Sequence, residues 1–496
     1  MMNNNNVLKV SNFIDGKWDE FNDNTITNIN PATLEPVSTV NIATEVDVQR
    51  AVESSKRAFK EWSSFPPPKR GEMLFKIAEE LKKRKQELSE LMTLEMGKVI
   101  TESEGEIQEA IDMAYYMGGE GRRLSGEVVP SELPNKMAMA IREPLGVIGA
   151  ISAFNFPVAV PSWKIFPSLI VGNTVVWKPS PNTSGIAAEF VKCMMNAGLP
   201  EGVINLVVGG EEKVGEALVS HPDVSLISFT GSTHVGQKVY QACASNHKQV
   251  SLELGGKNAI IVLEDADLPL AARAIAWGAF GTTGQRCTST SRIIVQKSVL
   301  EELTPLLLEE VAQLKIGNGI KHDVNVGPLI NSQALKRVEQ YVDIAKKDGV
   351  PIHCGGNKIG DEGYYFEPTV IGPVSPSSAF ATEEIFGPIL SIISVDTFDE
   401  AIEVNNSVDY GLSSAIFTRD LSKALKAVRK VDTGIVYINH STSGAEIQMP
   451  FGGTKNTGNG KREAGQAALD TFSEWKTIYI DYSGDLQRAQ IDVDFA

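Results

Sequence analysis

Between positions 47 and 116 the apolar residues Leu74, Ile77, Leu81, Leu88 and Leu91 recur at the spacing of one helical face. Pro66-Pro67-Pro68 interrupts that pattern and predicts a break between two helices. Beyond it the period changes. Short apolar runs at 147–151, 174–177, 204–208, 225–229 and 251–254 alternate with segments of helix length, the signature of a parallel, doubly wound sheet. A second α/β series follows, with strands expected at 259–263, 292–296, 389–395 and 435–439. Two extended stretches, 135–142 and 477–482, predict a small strand extension outside both series.

Composition narrows the classes. A chain of 496 residues with 42% hydrophobic and 22% charged positions is an ordinary globular protein long enough for more than one domain. The formal net charge of −16 argues against nucleic-acid and anionic-membrane partners, which require a basic face. Cys193, Cys243, Cys287 and Cys354 lie far apart with no C-x-x-C pair, and the six histidines show no ligand spacing. Neither a disulfide framework nor a metal site is expected, and a reducing, cytoplasmic setting fits. The asparagine-rich start, 1–10, lacks the basic and apolar regions of a signal peptide and is expected to be disordered or extended. The uncharged run 144–163 ends at Lys164 and predicts a buried strand and loop rather than a membrane span.

The chemistry concentrates in two motifs. Leu252-Glu253-Leu254-Gly255-Gly256 places a carboxylate between apolar residues, where burial is costly without a purpose. Gly284-Gln285-Arg286-Cys287-Thr288 places a thiol after a tight polar bend. A thiolate adds to a carbonyl, the adduct expels hydride to a nicotinamide, and a carboxylate then activates water against the thioester. A free thiol has a pKa near ~8.5, so some local lowering is expected, with Arg286 as a contributor. Asn155, in Ala153-Phe154-Asn155-Phe156-Pro157 after a predicted strand, is either an oxyanion donor or a turn residue. The run 229–236 passes from strand to helix with Gly231, Ser232 and Gly236, a helix N-terminus suited to a pyrophosphate. Its G-x-x-x-x-G spacing is weak evidence in isolation. Lys178 and Ser180 end another strand at the sheet edge where ligands bind.

In these motifs and their order, over nearly the whole chain, the sequence resembles the aldehyde dehydrogenase superfamily. The resemblance implies that fold: a Rossmann-like cofactor domain (7–134 and 147–258), an α/β catalytic domain (259–448) and a small β oligomerisation element (135–146 and 471–496). It implies Cys287 as nucleophile, Glu253 as general base and Asn155 as oxyanion donor. Lys178 would contact the adenosine ribose, Ser180, Gly231, Ser232 and Gly236 the rest of the nucleotide, and Glu384 with Phe386 of the Glu384-Ile385-Phe386-Gly387-Pro388 motif the nicotinamide ribose. Position 181 is Pro, where NAD-preferring members often carry a ribose-binding glutamate, so both NAD and NADP are admissible. Thr442-Ser443-Gly444-Ala445-Glu446-Ile447 is similar to the substrate-anchoring loop of the aminoadipic semialdehyde dehydrogenase branch. There Ser443, Gly444 and Ala445 would hold a carboxylate, and a Glu–Arg pair, at Glu109 and Arg286, the amino acid end; an ordinary salt bridge is the alternative.

Lys257 and Pro179 depart from that branch, and the segments 66–71, 91–95 and 287–292 look closer to the α-ketoglutaric semialdehyde dehydrogenases. The implied activity is NAD(P)-dependent oxidation of a carboxylate-bearing semialdehyde to the acid by a homo-oligomer, dimer or tetramer. A CoA-acylating semialdehyde dehydrogenase and a catalytically silent structural or binding protein on the same scaffold are the other readings. The presence of Glu253, and of all three reacting-centre residues, argues against both.

Overall fold

A computed structural model describes residues 7–210 and 212–492. Its first seven-stranded sheet runs, in spatial order, Gln249–Glu253, Val224–Thr230, Val147–Ile151, Thr174–Lys178, Ile204–Leu206, Phe13–Ile14 and Lys17–Trp18. The first five strands are parallel and the last two antiparallel. Those five are near-continuous apolar runs because helices cover both faces of the sheet. Strand order reverses between Val147–Ile151 and Val224–Thr230, and open α/β sheets bind ligands beyond the carboxyl ends of strands at such a reversal.

The second seven-stranded sheet runs Ile352–Cys354, Thr369–Ile371, Ile389–Val395, Thr290–Gln296, Asn258–Val262, Ser413–Phe417 and Ile435–Ile438, with only the first pairing antiparallel. The strand Ser413–Phe417, absent from the sequence expectations, lies inside this sheet. Its serines disguise it: Ser413 Oγ donates to the Thr442 carbonyl at 2.6 Å and Ser414 Oγ to Asn405 at 2.8 Å, so buried polar residues are satisfied where an apolar run was sought.

A three-stranded antiparallel sheet stands outside both. Lys136–Pro144 pairs with Ser473–Asp481 over nine residues, from Ser473 against Pro144 to Asp481 against Lys136. Glu127–Pro130, which the sequence reading left with the preceding segment, adds the third strand. Of the tail expected to be disordered or extended, Leu8–Val10 forms a strand parallel to Pro36–Asn41, and 1–6 lie outside the described residues.

The helical region contains four helices, not two: Glu45–Trp62, Pro67–Lys83, Lys85–Met96 and Ile100–Glu120. Thr44 and Asp47 form a capping box at the first, and Pro67 begins the second. The extra breaks fall at Arg84 and Gly97, where no proline announces them. Ile100–Glu120 packs against Ala159–Val171, a helix buried all round, which starts within the uncharged run once the chain has left the first sheet. No helix among the described residues is long and apolar enough to cross a membrane.

Candidate active site

Two cavities meet at Thr230. The first, about 540 Å³, opens beyond the carboxyl ends of the first sheet, and the second, about 490 Å³, lies between that sheet, Ile100–Glu120 and the segment bearing Cys287. Thr230 lines both, and its buried hydroxyl has no hydrogen-bond partner among the described residues.

The first cavity is a cleft at the strand-order reversal, lined by Phe154, Lys178, Ser180, Pro181, Gly231 and Ser232. Ser232 caps the helix Thr233–Ser245, its Oγ accepting from Val235 N at 3.4 Å. A helix start facing a cleft of this size, with buried Lys178 in the same lining, fits a dinucleotide. Gly236 does not line the cleft: its Cα faces Leu254, where any side chain would collide, so this glycine serves helix-to-strand packing. Glu384 and Phe386 do not line the cleft. Glu384 accepts from Gly256 N at 2.9 Å, and Phe386, in the left-handed region at φ 56°, meets Phe154 edge to face at 5.9 Å.

Cys287 and Glu253 line the second cavity together with Phe156, Trp163 and Trp277. Gly256 makes this approach possible: a Cβ there would lie 2.6 Å from the Cys287 carbonyl oxygen. Asn258 adds a hold that the motif search missed, donating to the carbonyls of Cys287 at 2.7 Å and Ser289 at 2.9 Å. Gly284, at φ 70°, passes so close to the Gly387 carbonyl that a side chain would collide. The polar bend predicted from Gly284-Gln285 is present. Gln285 is 1% exposed and accepts from Ile330 N at 3.0 Å. Asn155 lies behind this bend, its Nδ2 donating to the Gln285 carbonyl at 3.0 Å, which commits one amide hydrogen and leaves the second.

The expected lowering of the thiol pKa is reversed. Burial, followed by the charges of Glu253 and Glu384, pushes the Cys287 thiol up to about 12, although the backbone N–H groups of Thr288 and Cys287 oppose this. Arg286 gives no help because its charge is taken up elsewhere: Nη2 pairs with Glu102 at 2.8 Å, Nε donates to Thr282 at 2.8 Å, and the guanidinium stacks on Trp277 at 5.2 Å.

That contact removes the salt-bridge alternative for Glu109 and Arg286: Arg286 is bonded to Glu102, and both Glu109 and Arg286 line the cavity. Glu102, Glu106 and Glu109 fall on one face of Ile100–Glu120 and all line the cavity. Glu106 is neutralised by buried Lys98 and accepts from Val158 N and Ala159 N at 2.8 and 3.1 Å. Burial and the adjacent Glu106 push the Glu109 carboxyl up to about 8. Ser443, Gly444 and Ala445 complete the far wall, with Ser443 Oγ donating to the Thr288 carbonyl at 3.2 Å.

Glu253 is 4% exposed and its Oε1 has no hydrogen-bond partner among the described residues. Burial, and then the charge of Glu463, hold its carboxyl well above the usual carboxylate range, with Lys164 and Arg462 pulling the other way. Lys164 and Glu463 form a buried ion pair joined by Ser228, whose Oγ lies 3.1 Å from Lys164 and 3.2 Å from Glu463. No sequence motif pointed to this pair; the only signals were a lysine in an apolar helix and a lone glutamate after a glycine-rich loop. Pro450-Phe451-Gly452-Gly453 brings backbone against this carboxylate: a Cβ on Gly452 would sit 2.6 Å from Glu253 Oε1.

Residues 18–478 match the aldehyde dehydrogenase family. The chain is 40% identical to the alpha-ketoglutaric semialdehyde dehydrogenase of Bacillus subtilis over 95% of its own length and 97% of that protein. It is 39% identical to the 2,5-dioxopentanoate dehydrogenase of Saccharolobus solfataricus, over 93% and 98% respectively. The crystal structure of betaine aldehyde dehydrogenase from Staphylococcus aureus in complex with NAD+ superposes with a TM-score of 0.93 at 35% identity, covering 96% of this chain and 95% of that one. A match over nearly the whole chain in sequence and in fold leaves one assignment: the chain belongs to the aldehyde dehydrogenase family and is an oxidoreductase acting on aldehydes.

Proposed function

We propose that this enzyme oxidises a carboxylate-bearing semialdehyde to the corresponding acid with NAD or NADP, by a cysteine thiohemiacetal and a thioester that water cleaves. The observation that carries this reading is the shared cavity of Cys287 and Glu253, open at Thr230 to a dinucleotide-sized cleft. A nicotinamide cofactor in that cleft supplies the hydride acceptor.

The sulfur of Cys287 bonds to the aldehyde carbon and its proton passes to Glu253, the raised carboxyl in the same cavity. With burial pushing the thiol up, proton loss accompanies attack. The second amide hydrogen of Asn155 and the backbone N–H of Cys287 serve the oxygen on which negative charge develops. Hydride then leaves the adduct and the carbon becomes a thioester. Glu253, returned to its carboxylate by proton loss to solvent, takes a proton from water, whose oxygen adds to the thioester. The C–S bond breaks, the acid departs and the thiol is restored. The uncommitted Oε1 of Glu253 favours water over CoA as the acceptor.

Lys178, Ser180, Gly231 and Ser232 serve the adenosine and phosphate end, and Glu384 with Phe386 the nicotinamide end. The polar groups of the 443–445 loop and Arg286 face the far end of the substrate. The names of the two semialdehyde dehydrogenases above support a distal acid. The cofactor unit spans 7–134 and 147–258, and the catalytic unit 259–448. The strands Lys136–Pro144 and Ser473–Asp481 serve assembly with a second copy in the cytoplasm, a role supported by exposed Trp475, Tyr479 and Ile480. The test is a panel of aldehydes with both cofactors, followed at the reduced-nicotinamide band with and without CoA. Semialdehydes with a distal carboxylate are expected to exceed plain aldehydes of equal length in kcat/KM by about tenfold. No preference, or activity only with CoA, removes the assignment.

A further inference from the structure

The segment preceding Cys287 has a costly backbone. Thr282 (φ 51°, ψ 29°) and Thr283 (φ 58°, ψ 34°) lead into Gly284 (φ 70°), so three successive residues are left-handed and two of them are β-branched. Such a run persists only where its surroundings over-determine it. Thr283 Oγ1 donates to the Gly327 carbonyl at 2.9 Å, and Gln285 bonds to the backbone of Thr282 and Ile330.

Most of the hold comes from one carboxylate on another element. Glu102, in the first turn of Ile100–Glu120, accepts from Thr282 N at 3.0 and 3.1 Å, from Thr282 Oγ1 at 2.9 Å and from Arg286 Nη2 at 2.8 Å. Arg286 closes the ring by donating from Nε to Thr282 Oγ1 at 2.8 Å. Thr282, which opens the strained run, and Arg286, two residues beyond its end, are thus tied to the same anion. Cys287 is the next residue.

We infer that Glu102 is a positioning residue for the nucleophile, holding the left-handed run Thr282–Gly284 and Arg286 so that Cys287 stands in the cavity with Glu253. The inference rests on the reading of Cys287 as nucleophile. It differs from a substrate-gripping role, although Glu102 also lines the cavity. A grip acts only on substrates long enough to reach it; a misplaced thiol penalises every aldehyde. Arg286, with Nε and one Nη2 hydrogen committed, meets a ligand through Nη1 and the second Nη2 hydrogen.

The test compares propanal with succinate semialdehyde in wild type, Glu102→Ala, Glu102→Gln, Thr282→Gly and the Glu102→Ala/Thr282→Gly double variant. It also measures the rate at which iodoacetamide alkylates Cys287. Glu102→Ala is expected to lower kcat at least tenfold for both aldehydes and slow alkylation comparably, with KM for the cofactor unchanged. Glu102→Gln, which keeps an acceptor for Thr282, is expected to lose less. In the Thr282→Gly background, where the left-handed backbone is unstrained, Glu102→Ala is expected to cost several-fold less. A loss confined to KM for succinate semialdehyde, or the same loss with and without Thr282→Gly, overturns the inference. If Glu102→Ala does not fold, Glu102→Gln decides: propanal turnover and alkylation within twofold of wild type overturn it. Activity retained in Cys287→Ala overturns the nucleophile itself, so the two failures are distinguishable.

Discussion

The cleft and the cavity that meet at Thr230 are built on opposite principles. The cleft takes its residues in short runs from strand ends and the helices beside them, and of its charged groups Glu212, Glu216 and Lys238 are exposed while Lys178 is buried. The cavity draws on segments spread from Glu102 to Glu463 and is crowded with buried charge. Glu106 is matched by Lys98 and Glu463 by Lys164, whereas Glu253 and Glu109 have no ion-pair partner among the described residues. Solvent screens a charge in the cleft, while in the cavity it sets the protonation of its neighbours. Changes in the cavity should therefore alter chemical steps and their pH dependence, and changes in the cleft only the choice of cofactor.

The largest effect expected is from Cys287→Ala. Dehydrogenase turnover should fall by about a thousandfold or more because no covalent adduct forms. Cofactor affinity, measured by fluorescence titration, should stay within a few-fold. Loss of binding as well would erase the functional separation of the two regions.

Glu253→Gln comes next. Glu253 takes the proton first from Cys287 and later from water, so stopped-flow absorbance should show reduced cofactor formed slowly and without a burst, and a steady rate lowered by about 10² to 10⁴. An unchanged steady rate would falsify the general-base assignment.

In the cleft, Pro181 offers no carboxylate to repel a ribose phosphate. Wild type is expected to use NADP as well as NAD, and Pro181→Glu to lower kcat/KM for NADP by about tenfold while sparing NAD. Rejection of NADP by wild type would mean that another feature sets the preference.

The smallest effect is a shift in pH dependence. A raised carboxyl is protonated over a wider pH range, so the hydrolytic rate should rise with pH through a limb above the ordinary carboxylate range. Glu463→Gln removes the charge that raises Glu253 and leaves Lys164, which lowers it, without its partner. Both changes act in the same direction, and the limb should move to lower pH by about one unit. A limb that stays in place, or moves up, would show that burial alone controls Glu253. The same substitution strands a buried ammonium, so thermal stability should drop, by about 3 kcal/mol.

Strand ends were legible in the sequence because local pattern carries them. The apolar runs at 147–151 and 389–395 match their strands end to end, and Lys178 and Ser232 stand where the change from strand to loop or helix predicted. Gly284 and Gly256 were legible as backbone signals, and both prove to be positions where chain meets chain. Ser413–Phe417 was not, since its serines are satisfied by Thr442 and Asn405 outside the strand, and Gly236 passed for a phosphate-turn glycine although it packs on Leu254.

By itself the sequence determined the α/β architecture, the chemical pair Cys287 and Glu253, and the family to which the motifs belong. Periodicity and residue type are local properties, and the resemblance runs through short motifs. Tertiary structure alone decided which charges face one another. Arg286 pairs with Glu102, Lys164 with Glu463, and the Cys287 thiol is pushed up where a neighbouring arginine suggested the opposite. The energy of a charge depends on its distance from others and on the water removed around it, and neither quantity is written in the order of residues along the chain.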